Sequence, residues 1–340
     1  MSGLRTYRNF SLKDTPSLAS KVAVVTGGSD GIGREIVAQL LLHDISKVYV
    51  LARKVEKFDK ASIYWSSKGI DVEQRVEFVP CDLNDMRIVK KVGDELMGRL
   101  DRLDILINNA GLPPVRNNTL SPQGIEPIWS TNVVGPFILT NILLPKLEST
   151  ATEYGNARIV MASSSLHMLC QELKFESLLE EKSEKHPQAL DALWRYGRSK
   201  LGNILFTSEL AKRLDKRGSD GVFANSFFPG NVPTEAVDTW KDLLGSIPGG
   251  VFKSIVQMVG QSSEDASATA IYLAASTEVE SKGQRGKYFI PIATEDKTSK
   301  TAEDKDLAKN LWYWCDGQAT KALGRGWDQN SVGIEENNSG

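Results

Sequence analysis

The chain alternates short β-branched runs with longer stretches whose apolar residues recur at helical spacing. Residues 21–26 read KVAVVT, and the apolar positions of 33–42 return every three or four residues, the mark of a helix with one buried face. A second apolar run follows at 48–51. Strand, glycine-rich turn, helix and strand make a βαβ unit, and parallel strands joined in this way need a sheet covered on both faces. The rhythm continues through further strand-like runs at 76–79, 105–107, 158–162, 222–228 and 286–290, each separated by a helical stretch. The pattern predicts an α/β protein with one doubly wound parallel sheet of about seven strands. Neither an internal repeat nor a Pro/Gly/Ser linker divides it.

Two segments interrupt the alternation. Residues 171–188 are rich in Glu and Lys and read as a solvated surface helix. Residues 231–260 mix Trp240, Leu243, Leu244, Ile247, Val251 and Phe252 with glycines, and read as a mobile apolar flap or as ordinary core helices. The expected organisation is a polar N-terminal extension over 1–20, a catalytic domain over 21–291 and a C-terminal extension over 292–340. The extension is polar up to Leu311-Trp312-Tyr313-Trp314, a run able to pack back as a helix, and its end, 335–340, should be disordered.

Composition narrows the classes. With 340 residues the chain can bury a large core, and a net charge of −2 with 25% charged residues gives no sign of a nucleic-acid partner. Cys81, Cys170 and Cys315 are odd in number and widely spaced, which argues against a disulfide framework or zinc site and for a reducing, cytoplasmic compartment. Residues 1–20 hold no apolar run resembling a signal peptide, and the longest apolar stretch, around 133–144, falls short of a membrane span.

Chemistry enters with Thr26-Gly27-Gly28-Ser29-Asp30-Gly31-Ile32-Gly33, which follows a strand and opens a helix. Glycines permit a tight turn and close backbone approach, and the helix N-terminus offers N–H groups to a pyrophosphate. Further along, Tyr196-Gly197-Arg198-Ser199-Lys200 puts a phenol and an ammonium one helical turn apart, where the cation can lower the phenol's pKa and make it a proton donor or acceptor. Alone, that spacing is common in helices. Between the two motifs lie Asn108-Asn109-Ala110-Gly111, Asn132 and Ser163-Ser164, and after them Pro229-Gly230-Asn231-Val232-Pro233-Thr234.

Taken in this order over about 21–291, the motifs resemble those of the classical short-chain dehydrogenase/reductase family, which has a Rossmann-type fold. The stretch from Tyr196 to Leu210, the long separation of Ser164 from Tyr196 and the Leu-Trp-x-Trp tail resemble its retinol-dehydrogenase-like and WW-domain-oxidoreductase-like branch. The resemblance implies a nicotinamide cofactor on Gly27, Ser29, Asp30, Gly31, Ile32 and Gly33, with Asp82 and Leu83 near the adenine. Asn109, Ala110 and Gly111 would support the site, and Pro229, Gly230, Val232 and Thr234 would also bind the cofactor. At the end of the second strand, Ala52 stands where NAD-specific members carry an acid, and Arg53 and Lys54 follow, so electrostatics favours NADP(H). Asp30 opposes that preference if its charge faces the same phosphate.

The resemblance also implies the catalytic group: Tyr196 as proton donor, Lys200 lowering its pKa and holding the nicotinamide ribose, Ser164 donating to the substrate oxygen, and Asn132 holding a water that links Lys200 to solvent. Strand-end alternation separates Ser164 from Ser163 and Ser165, and alignment puts the active hydroxyl on Ser164. His167 is read as a cleft or loop-packing residue, and His43 and His186 as surface residues. The substrate would be a small carbonyl or alcohol, lipophilic or aromatic, shaped by 112–118, 166–194 and 232–260. Family members often dimerise through the helices carrying Asn132 and Tyr196, so a homodimer is one expected state. Two other readings stay open: a non-catalytic NADP(H)-binding scaffold, and an epimerase, dehydratase or cyclase on the same fold.

Overall fold

A computed structural model of the chain describes residues 8–115, 119–180, 188–230 and 262–328. Strands β1 (Val22–Thr26), β2 (Lys47–Ala52), β3 (Val76–Pro80), β4 (Ile105–Asn108), β5 (Ala157–Ala162), β6 (Val222–Phe227), β7 (Tyr288–Ile290) and β8 (Thr294–Glu295) form one sheet in the order 3-2-1-4-5-6-7-8. All neighbours are parallel except β7 and β8. β8 raises the count to eight, because two residues are too short to show any alternation in sequence.

Helices cover both faces. On one lie α1 (Gly31–Leu42), α2 (Val55–Ser67), α7 (Ser263–Ala275) and the short α8 (Thr277–Ser281); on the other lie α3 (Met86–Arg99), α4 (Pro127–Trp129), α5 (Gly135–Tyr154), α6 (Gln188–Arg217) and α9 (Lys305–Leu323). Strand residues divide by parity: Ala23, Val25, Ile105 and Ile107 join the first core, while Val24, Leu106, Ile159 and Met161 join the second. Burial on both faces is why these strands read as continuous apolar runs. The helical run through α4 and α5, residues 127–154, is long and apolar enough to cross a membrane by length and composition, but its most apolar 18-residue stretch is wholly buried inside the protein, as in a core helix.

The segment 171–180 is not the surface helix expected. It is loop and a single 3-10 turn, Glu176–Leu178, with Leu173 and Leu178 buried. The Glu126 N–H donates to Leu178 O at 2.8 Å, and these core contacts outweigh the helical propensity of its Glu and Lys residues. Residues 181–187, and the flap at 231–260, lie outside the described residues. The tryptophan-rich tail run lies in α9: Trp312 packs edge-on to Phe137 at 5.0 Å, and Trp314 stacks on Phe175 at 5.7 Å.

Candidate active site

The strand order reverses between β1 and β4, and ligands of open α/β sheets bind outside the strand ends at such a switch point. The glycine turn sits there. Gly27 has φ +65°, open to glycine and strained for other residues, and its N–H donates to Leu51 O at 2.7 Å. A Cβ on Gly33 would lie 2.1 Å from Gly27 O, so the turn and the start of α1 touch backbone to backbone. The Asn109 amide donates to Thr26 O at 3.3 Å, and Ala110 N donates to Thr26 Oγ1 at 3.0 Å, locking the turn to the end of β4. Ser29 is buried and Ile32 packs into the core beneath α1. The turn thus presents backbone at a helix N-terminus, an arrangement that fits a dinucleotide diphosphate.

Around this turn the expected residues divide. Arg53 and Lys54 are exposed as the chain leaves β2. Asp30 caps α1, accepting from Gly31 N at 2.7 Å, and its other oxygen is ion-paired with Lys57 of α2. Asp82 folds onto its own loop, accepting from Asn84 N at 3.0 Å. The Leu83 side chain is in the core, and a Cβ on Gly135 would lie 2.5 Å from its carbonyl, so this residue packs against the start of α5. Pro229 and Gly230 follow β6, with Gly230 at φ +91°; Val232 and Thr234 lie outside the described residues.

The helix α6 carries Tyr196 and Lys200. A Cβ on Gly197 would come within 2.5 Å of Leu166 O, so glycine lets α6 press against the turn that begins at Ser164. Lys200 is buried; its ammonium donates to Ala162 O at 3.1 Å and lies 3.4 Å from where a Cβ on Gly111 would be. Ser163 Oγ donates to Lys200 O at 2.8 Å, whereas Ser164 Oγ accepts from Leu166 N at 3.2 Å and sits at the head of its turn. The two hydroxyls therefore point different ways, as alternation requires.

Electrostatics departs from expectation at this pair. Desolvation pushes the Tyr196 phenol up to about 12 and the Lys200 ammonium down to about 8. The ammonium lies 5.4 Å from the centroid of the tyrosine ring, so the lysine's charge does not overcome the loss of water. Asn132 sits in a π turn, Ser130–Val134, that joins α4 to α5. Its side chain accepts from Leu112 N at 2.7 Å and donates to Leu112 O at 3.2 Å and Ser199 Oγ at 2.9 Å. The amide thus clamps the β4 loop to α6.

Behind α6 lies a charged network not anticipated from sequence. Arg195 bonds Glu126 at 2.9 Å, Asp191 at 2.8 Å and the Val115 carbonyl at 2.7 Å. Arg198 donates to Ser177 Oγ at 2.7 Å and lies 3.7 Å from Glu126. Glu126 is fully buried and caps α4 through Ile128 N and Trp129 N. These contacts tie three loops around the cleft to the tyrosine helix, and the two arginines flanking Tyr196 were the available signal.

His167 is buried, with Nδ1 2.7 Å from Ser164 O and Nε2 accepting from Ser299 N at 3.4 Å. A carbonyl on one side and an N–H on the other select the neutral Nδ1–H tautomer, and burial pulls its pKa down. Its role is loop packing that joins the Ser164 turn to the C-terminal segment. His43 is partly buried at the end of α1, bonded to Gln39 O, and His186 lies outside the described residues. Burial pushes the Cys170 thiol up to about 12, which makes it unreactive.

A glycine turn at the switch point, faced by a buried tyrosine and lysine on one helix, defines the class of dinucleotide-dependent oxidoreductases. The short chain dehydrogenase family model matches residues 21–170. The chain is 31% identical to a short-chain dehydrogenase/reductase of Armillaria gallica, over 91% of this chain and 93% of that one. It is 32% identical to mouse retinol dehydrogenase 14, over 92% and 89%. Among solved structures, the Pseudomonas aeruginosa RhlG/NADP active-site complex matches 81% of this chain and 95% of that one with a TM-score of 0.59 and 26% identity. The chain belongs to the short-chain dehydrogenase/reductase family, in its retinol-dehydrogenase-like branch.

Proposed function

We propose that this oxidoreductase uses NADP(H) to interconvert an aldehyde or ketone with its alcohol on a small lipophilic or aromatic substrate. The observation that carries the reading is that Lys200, one turn after Tyr196 on α6, brings its ammonium to Gly111 in the loop after β4, the strand locked to the glycine turn. Gly27 to Gly33 would hold the diphosphate, Arg53 and Lys54 the 2′-phosphate, and Asn109 to Gly111 the region near the nicotinamide. Bound NADPH supplies the hydride to the carbonyl carbon.

The chain's own groups handle the oxygen. Tyr196, kept protonated through the neutral range by burial, delivers its proton to the oxygen that becomes negative. Ser164 donates a hydrogen bond to the same oxygen, and Lys200 supplies nearby positive charge. Asn132 acts as a positioning residue by holding the β4 loop against α6. Met168 and Leu169 are exposed on the turn that follows Ser164, which supports a lipophilic substrate.

The test is NADPH oxidation with a panel of aldehydes, ketones and quinones. The expected outcome is turnover on apolar carbonyls and little on polar ones. NADPH binding without turnover on any of them would support the scaffold reading instead. A product formed with no net cofactor consumption would support an epimerase, dehydratase or cyclase.

A further inference from the structure

The cofactor corner holds an acid that the proposed chemistry does not use. Asp30 caps α1, and a helix N-terminus favours an aspartate, so local folding accounts for its presence. Folding of α1 does not account for its partner. Lys57 stands on α2, one turn beyond Lys54, and its ammonium reaches the Asp30 carboxylate across the gap between the two helices.

That gap is where a 2′-phosphate would lie. Thr26 of β1 is in register with Leu51 of β2, and Gly27 N donates to Leu51 O at 2.7 Å, so the glycine turn and the exit of β2 are adjacent. Arg53 and Lys54 emerge from that exit. An unpaired carboxylate at this corner would repel a phosphate carrying about two negative charges and offset one of those cations. Both partners of the pair are partly exposed, so the effect belongs to ligand recognition more than to stability.

We propose that Lys57 is a specificity-determining residue: by pairing with Asp30 it cancels the acid's charge, and Arg53 and Lys54 then present net positive charge to the 2′-phosphate of NADP(H). The proposal rests on the NADP(H) reading above and extends it to residues that do not themselves mark the cofactor class.

A double-mutant cycle at low ionic strength tests it, with KM and kcat measured for NADPH and NADH in Lys57→Ala, Asp30→Asn and the double variant. Lys57→Ala should raise KM for NADPH about fivefold, with the NADH parameters moved less than about twofold. Asp30→Asn, which keeps a capping side chain, should leave NADPH binding equal or tighter. The double variant should regain the parental KM for NADPH. Equal weakening of both cofactors by Lys57→Ala, or no recovery in the double variant, would show that the pair only staples α2 to α1 and would overturn the proposal. Arg53→Asp separates the two layers. If it shifts preference to NADH while Lys57→Ala does not change the ratio, the Lys57 proposal alone falls; if neither changes the ratio, the NADP(H) reading falls with it.

Discussion

The two sides of the cleft are built by different means. The glycine-turn side is held mainly by backbone: the Gly27 N–H on Leu51 O, Gly33 against Gly27 O, and the Ala110 N–H on the Thr26 hydroxyl. The tyrosine side is made from side chains far apart in sequence, with Glu126, Asp191, Arg195 and Arg198 buried together behind α6. A backbone-walled site tolerates no added atom but needs few special side chains. A site held by buried charges keeps its geometry only while every partner is present, since an unpaired buried charge is costly.

That contrast can be broken from either side. Gly33→Ala should have the largest effect, because its Cβ would meet Gly27 O at 2.1 Å and backbone would have to move. Cofactor affinity should fall at least about a hundredfold, with about 1–3 kcal/mol lost from stability; calorimetric titration with NADPH and thermal unfolding read the two. Glu126→Ala should destabilise the fold by about 3–5 kcal/mol, because it takes a buried carboxylate from both Arg195 and Arg198 and removes the cap of α4, seen in denaturant unfolding. Cofactor affinity at the distant glycine turn should change much less, and an equal loss at both sites would erase the distinction between the two sides.

A smaller effect follows from Lys200. Its ammonium is intact below about 8 and lost as pH rises through that value. The reductive kcat/KM should therefore be level in the neutral range and fall above about 8, and Lys200→Arg should flatten the alkaline limb at a lower overall rate. Stability should move the other way. Between about 8 and the ordinary lysine value of 10.5 the unfolded chain holds the extra proton, so the fold gains stability as pH rises. The smallest change should come from Arg53→Asp at the exposed cofactor corner, roughly a tenfold shift in preference toward NADH. Steady-state kinetics with both cofactors measures it.

Legibility in the sequence follows the same divide. The sheet, its helices and the glycine turn were readable because period-2 and period-3.6 patterns and glycine spacing are local properties. Ser164 could be separated from Ser163 for the same reason, and their hydroxyls do diverge. What depended on distant packing was not readable. The acidic stretch after Ser164 looked solvated, yet Leu173 and Leu178 pull its first half into the core. The lysine was expected to lower the tyrosine's pKa, but burial, which sequence spacing does not report, pushes it up. Asp30 looked like a charge opposed to phosphate until Lys57 was seen beside it.

The central claim is that Tyr196 gives the proton to a carbonyl oxygen. Its most direct test is Tyr196→Phe, assayed for carbonyl reduction under saturating NADPH and, on the same preparation, for NADPH binding by fluorescence titration. Turnover should fall about 10²- to 10⁴-fold while the NADPH dissociation constant stays within about twofold. Full turnover in a variant that binds NADPH normally would contradict it.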